Sequence, residues 1–202
     1  TDHATGPGII EDIGLDDDAL REQMNAIDEL NRNLDALRVL KSIEVDILKD
    51  GSLDLPDDVL EDLDLCVCSL HTHLGLSEEE QTERVLAAMD NPNFHILAHP
   101  TGRRLNERGP IAIDLDRIME AAVEKGCFLE LNAQPERLDL NDVFCKRAKE
   151  LGLKVAIGAD AHWKSGLDFL GYGVDQARRG WLTPDDVLNT KPWAEIEGVF
   201  DR

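Results

Sequence analysis

Apolar residues in this chain switch repeatedly between the three- and four-residue step of a helix and the short run of a buried strand. That alternation narrows the fold more than any other feature. Leu20, Met24, Ile27, Leu30, Leu34 and Leu37 predict one helix face, followed by a strand over 39–48. A short helix is expected near Pro56 and a strand over 63–70. Ser77-Glu78-Glu79-Glu80 has the form of a capping box, opening a helix that carries Val85, Leu86 and Met89. Further strands are expected at 94–98, 127–133 and 155–158. Between them lie a helix capped by Asp114 and stopped by Gly126, and another over 139–151 stopped by Gly152. Thr183-Pro184-Asp185-Asp186 marks a last helical start. Five strand-then-helix units in series imply parallel strands wrapped by helices, either as a barrel or as an open sheet.

No repeat and no linker divides the 202 residues, so a single domain over 1–202 is expected. No apolar run reaches about 18 residues, and the chain opens on polar Thr1-Asp2-His3. Neither a membrane span nor a signal peptide is predicted, and the expected location is cytoplasmic. Cys66, Cys68, Cys127 and Cys145 show no framework spacing and read as reduced thiols. Cys66-Val67-Cys68 lacks the second pair that structural zinc requires and reads as core packing. A net charge of −21 repels polyanions, so the isolated domain is expected to hold DNA weakly.

Reactive residues of parallel α/β folds gather where strands end and loops begin. Here those exits carry metal-ligand types: His3 at the opening, Glu44 in the 39–48 strand, His71 after 63–70, His99 before Pro100, and Asp160 and His162 after 155–158. Strand alternation puts Ser42, Glu44 and Asp46 on one face and Ile43, Val45 and Ile47 on the other. If the polar faces point to a common axis, Glu44, His71, His99 and Asp160 converge and the cysteines face the helices. Imidazole with carboxylate suits zinc, manganese or iron. His95 lies about 13 Å before His99 along an extended strand, and reads as structural, as does His73. Thr1-Asp2-His3 itself reads as the polar exit of a strand whose apolar body precedes it.

The motifs Thr1-Asp2-His3, Ile43-Glu44-Val45-Asp46, Ser69-Leu70-His71, Ala98-His99-Pro100 and Asp160-Ala161-His162 follow one another in an order that resembles the PHP (polymerase and histidinol phosphatase) family. Each triplet is common; the ordered set is specific and spans almost the whole chain. The resemblance implies a distorted (β/α)7 barrel holding up to three divalent ions. It implies that Glu44 bridges two ions, one of them shared with His71 and His99 and the other with Asp160. His3 and His162 would belong to the third, and Glu44 and Asp160 would be the catalytic carboxylates. It also implies that a first strand carrying a His-x-His pair is absent from this chain, leaving the fragment weak or inactive by itself.

His99-Pro100-Thr101-Gly102-Arg103, Leu138-Asp139-Leu140-Asn141-Asp142 and Arg178-Arg179-Gly180-Trp181-Leu182 resemble the C-terminal PHP domain of family X DNA polymerases in particular. The implied activity is a metal-dependent 3′–5′ exonuclease or 3′-phosphatase acting in DNA repair, with the DNA 3′ end gripped by a polymerase region outside this chain. Arg103 and Arg104 are candidate phosphate contacts, with ordinary solvated arginines as the alternative. A small-metabolite phosphatase of the histidinol-phosphatase type, or a structural platform without activity, stays open.

Overall fold

The computed structural model describes residues 1–6 and 14–200. Its centre is a wholly parallel sheet of β1 (Asp2–Ala4), β2 (Gly14–Leu15), β3 (Ser42–Asp46), β4 (Leu65–Ser69), β5 (Ile96–Leu97), β6 (Phe128–Asn132) and β7 (Val155–Gly158). The spatial order is β2-β1-β3-β4-β5-β6-β7. The five strands expected from the sequence are therefore β3 to β7, laid side by side in chain order. Asp2–Ala4 is a paired strand in its own right, with His3 in register with Glu44 on one side and with Gly14 on the other. Gly14–Leu15 was not legible in advance, because two residues carry no period.

The connecting helices are α1 (Asp17–Asn31), α2 (Asp57–Leu60), α3 (Glu78–Ala88), α4 (Leu115–Lys125), α5 (Asp142–Leu151) and α6 (Leu170–Arg179), with a short α7 (Trp193–Ile196) near the end. Local chemistry sets several of their boundaries. Ser77 and Glu80 complete the reciprocal capping box of α3. Asp114 caps α4, and Gly126 ends it in the left-handed conformation at φ 69°.

Two boundaries depart from the sequence expectation. The first helix stops at Asn31, because the Asn31 amide turns the chain by bonding both the N–H (2.8 Å) and the carbonyl (2.7 Å) of Val39. Leu34 and Leu37 thus continue the spacing without continuing the helix. Asn141, not Asp139, caps α5 by accepting from the Phe144 N–H at 2.9 Å. Asp139 is buried and accepts from the Thr101 N–H at 2.9 Å.

The two faces of the strands have different fates. Ile43, Val45, Cys66, Cys68, Leu129, Leu131 and Val155 are buried in one core with Val85, Met89, Ile118 and Ala148 from the helices. All four cysteines are buried. The opposite face is apolar at the strand starts, where Leu65, Val67, Ile96 and Phe128 meet Leu188, Ile196 and Phe200 of the C-terminal segment. His95 fastens this floor: its Nδ1 accepts from the Cys66 N–H at 2.9 Å, and Nε2 donates to the Phe200 carbonyl at 3.0 Å. Toward the strand ends the same face turns polar, and the site begins there.

Candidate metal centre

A cavity of about 690 Å³ runs along the polar face of the strands. Its walls include His3, Glu44, Glu130, Asn132, Asp160 and His162. His3, Glu44, Glu130 and Asn132 are strand positions, and Asp160 and His162 lie just beyond a strand. His99 and Asp160 both occupy positive φ, at 28° and 48°.

Glu44 is the hub. Its Oε1 lies 3.1 Å from His99 Nε2 and 3.3 Å from His71 Nε2, and its Oε2 lies 3.8 Å from His3 Nδ1. Donor atoms of His3, Glu44 and His71 all fall within 4.8 Å of one another. The family resemblance groups Glu44 with His71 and His99, whereas this set holds His3 in place of His99. Further ring contacts join His3 to His71 at 5.3 Å, His71 to His99 at 5.4 Å and His3 to His162 at 5.8 Å. Asp160 and His162 form the far side, with His162 Nδ1 3.7 Å from Asp160 Oδ1.

These spacings fit a divalent ion. Ligands at about 2.0–2.1 Å from a tetrahedral ion sit roughly 3.3 Å apart, close to the 3.1 and 3.3 Å separations about Glu44 Oε1. The buried ring nitrogens His3 Nδ1 and His99 Nδ1 have no hydrogen-bond partner. Behind His71, Asp46 Oδ1 lies 2.5 Å from Nδ1 and Ser69 Oγ 3.1 Å, which leaves Nε2 facing Glu44. Such a carboxylate–imidazole pair orients a metal-binding ring and raises its basicity. Buried Arg84 of α3 donates to the carbonyls of Ile47, Leu48 and Thr72, bracing the exits of β3 and β4 together.

Electrostatics follow the packing. Burial would lower the His71 pKa, but its bonds to Asp46 and Glu44 outweigh that and push it up to about 9. Burial likewise works against ionised Glu44, yet His71 and His99 hold its carboxyl well below the usual range. His3 is lowered, chiefly by burial and then by neighbouring His71 and His162, against the pull of Glu44. Glu130 is pushed up to about 7 by burial, with Glu44 and Asp160 adding to it and the His99 ring and N–H opposing.

Three residues at this site escaped the sequence reading. Glu130 and Asn132 share the inward face of β6, and the alternation Phe128-Leu129-Glu130-Leu131-Asn132 was the signal that could have shown them. Arg137 is the third, with Nε 3.7 Å from Asp160 Oδ2. Arg103 carries its guanidinium on the carbonyls of Arg137 (2.8 Å) and Leu138, while Arg104 pairs with Glu107 at 3.2 Å at the rim.

No family model matches the chain. It is 39% identical over 189 residues, 94% of its length, to the DNA polymerase/3′-5′ exonuclease PolX of Bacillus subtilis, of which it spans 33%. It is 31% identical over 172 residues to a probable phosphatase of Thermoanaerobacter, covering 80% of this chain and 67% of that protein. A probable phosphatase of Caldanaerobacter subterraneus is 32% identical over 64% of this chain and 52% of its own. Among the described residues, no helix is long and apolar enough to cross a membrane. With its ordered motifs and this similarity to a family X polymerase and to probable phosphatases, the chain belongs to the PHP (polymerase and histidinol phosphatase) family.

Proposed function

We propose that this domain hydrolyses phosphate esters at DNA 3′ ends, as a 3′–5′ exonuclease or 3′-phosphatase, within a longer protein that supplies the grip on DNA. The observation that carries this reading is the 39% identity over 94% of the chain to a protein named as a polymerase with 3′-5′ exonuclease. A charge of −21 agrees with a domain that does not hold DNA by itself. The fold is proposed to be the distorted barrel of the family, with the cavity along its axis.

His3, Glu44, His71, His99, Asp160 and His162 would hold zinc, manganese or iron. Bound ions would neutralise charge on the phosphoryl oxygens and lower the pKa of the attacking water. The chain's own contribution is placement. Glu44 and Asp160 set two carboxylates in the lining of one cavity, and Asp46 fixes the His71 ring. Arg137 sits beside Asp160, where a phosphate oxygen would meet it. Arg103 holds the loop that carries Arg137, and Arg104 lies at the outer rim as a second cation.

A second reading, a small-metabolite phosphatase, is supported by the 31% identity to a probable phosphatase of which the chain covers 67%. Assaying the longer protein, beside this chain alone, with manganese or zinc on a 3′-recessed DNA and on a small phosphomonoester separates the two. Cleavage of the DNA is expected; turnover of the small ester alone would hand the case to the metabolite phosphatase.

A further inference from the structure

Glu130 has no role in the family's ligand pattern, yet it stands at the middle of the site. It lies on β6, between the strands whose exits carry His99 and Asp160. Its Oε2 accepts the backbone N–H of His99 at 2.8 Å and the Asn132 Nδ2 at 3.3 Å. The same Asn132 Nδ2 donates to Asp160 Oδ2 at 2.9 Å. Asn132 cannot be turned around, because its Oδ1 accepts the Gln134 N–H at 3.0 Å. A continuous chain of bonds therefore runs from the main chain of His99, through Glu130 and Asn132, to the carboxylate of Asp160.

The other oxygen of Glu130 rests on β7. A Cβ added to Gly158 would lie 2.3 Å from Glu130 Oε1, and its three nearest neighbours would all be atoms of the Glu130 side chain. Gly158 has an ordinary φ, so its lack of a side chain serves this carboxylate and not a turn. The two residues tied together, His99 and Asp160, both hold positive φ, a conformation that persists only where surrounding bonds enforce it.

We infer that Glu130, acting with Asn132 across the cleared surface of Gly158, is a positioning residue that locks His99 and Asp160 in one geometry and so couples the two halves of the metal centre. This rests on the reading of that centre as a metal site. Glu130 acts here through its hydrogen bonds, as an acceptor that a glutamine can imitate and an alanine cannot.

The test uses cobalt(II) as a spectroscopic probe on the metal-free protein, with binding followed by titration and by the visible absorption of the bound ion. Glu130→Ala is expected to weaken cobalt binding by roughly tenfold or more, as loss of outer-sphere partners does, and to change the absorption band. Glu130→Gln should stay within about threefold of the parent, since it keeps an acceptor for the His99 N–H. Gly158→Ala should behave like Glu130→Ala although it deletes no polar atom. It also carries the test if Glu130→Ala fails to fold. Parental affinity and spectrum in both Glu130→Ala and Gly158→Ala would overturn the inference. So would a Glu130→Gln as damaged as the alanine, which would make the charge itself the essential feature. A parent protein that binds no cobalt would instead sink the metal-centre reading, and this inference with it.

Discussion

Asp46 Oδ1 lies 2.5 Å from Nδ1 of His71, on the side of the ring opposite Glu44. Asp46 is 1% exposed, so this carboxylate cannot serve solvent or substrate and has the ring as its partner. Its position on β3, two residues beyond Glu44, places both carboxylates on one strand face. Replacing Asp46 by asparagine keeps the shape and removes the charge. Metal affinity is expected to fall by about tenfold to a hundredfold with the far-ultraviolet circular dichroism unchanged. Isothermal titration with manganese checks it, and an affinity equal to the parent's would refute the pairing's role.

Arg137 is the arginine paired with a site carboxylate among the described residues, at 3.7 Å from Asp160. Arg137→Ala is expected to raise KM for a phosphate ester by roughly tenfold or more, the worth of one charge-assisted hydrogen bond, while metal content stays near the parent's. Arg104→Ala, at the rim and paired with Glu107, is expected to change KM less. Steady-state kinetics with parallel metal analysis distinguish them; an unchanged KM in Arg137→Ala would remove it from the phosphate site.

The thiols should be silent in the folded protein. Burial pushes Cys66 and Cys145 up to about 12, and all four cysteines are buried. A thiol reagent at pH 8 should therefore react with none of the four before unfolding and with all of them after it. The same shifts give stability a direction with pH. A thiol whose pKa is raised in the fold favours the folded state fully below its unfolded value, near 9. That contribution is lost as pH rises from about 9 toward 12, because only the unfolded chain ionises. Urea midpoints should fall across that window, and less so in Cys66→Ala.

Gly173 lies inside α6, where alanine would ordinarily stabilise by about 0.5–1 kcal/mol. Here an added Cβ would stand 2.6 Å from Ile157 Cγ2 and 2.9 Å from Ala133 Cβ. Overpacking of that kind costs about 1–3 kcal/mol, so it should win. Gly173→Ala is expected to lower Tm, whereas alanine at Gly171, with nothing within 4 Å, should raise it slightly. Thermal melts of the two variants, read side by side, decide the matter.

Spacing alone located β3 to β7 and the helices between them, because each strand buries one face and each helix one stripe. The inward parity of Glu44 and Asp160, and the approach of His71 and His99 to Glu44, followed from the same periodicity once the strands were taken as parallel. Helix ends were less legible where a side chain away from the helix decided them, as Asn31 does through Val39. The helix expected from Asp139 begins only at Asp142, and Asp139 is instead a buried acceptor for Thr101, a role set by a residue 38 positions away.

What the sequence determined by itself is the strand-by-strand placement of histidines and carboxylates of metal-ligand type, since alternation and the order of elements are local properties written along the chain. What only the tertiary structure decided is which of them touch and what steadies them. Glu130 meets His99, Asn132 meets Asp160 and Arg137 comes to Asp160. Those contacts depend on the register of neighbouring strands and on backbone turns at positive φ. Register and turn geometry arise from packing the whole sheet against its helices, and no window of sequence contains them.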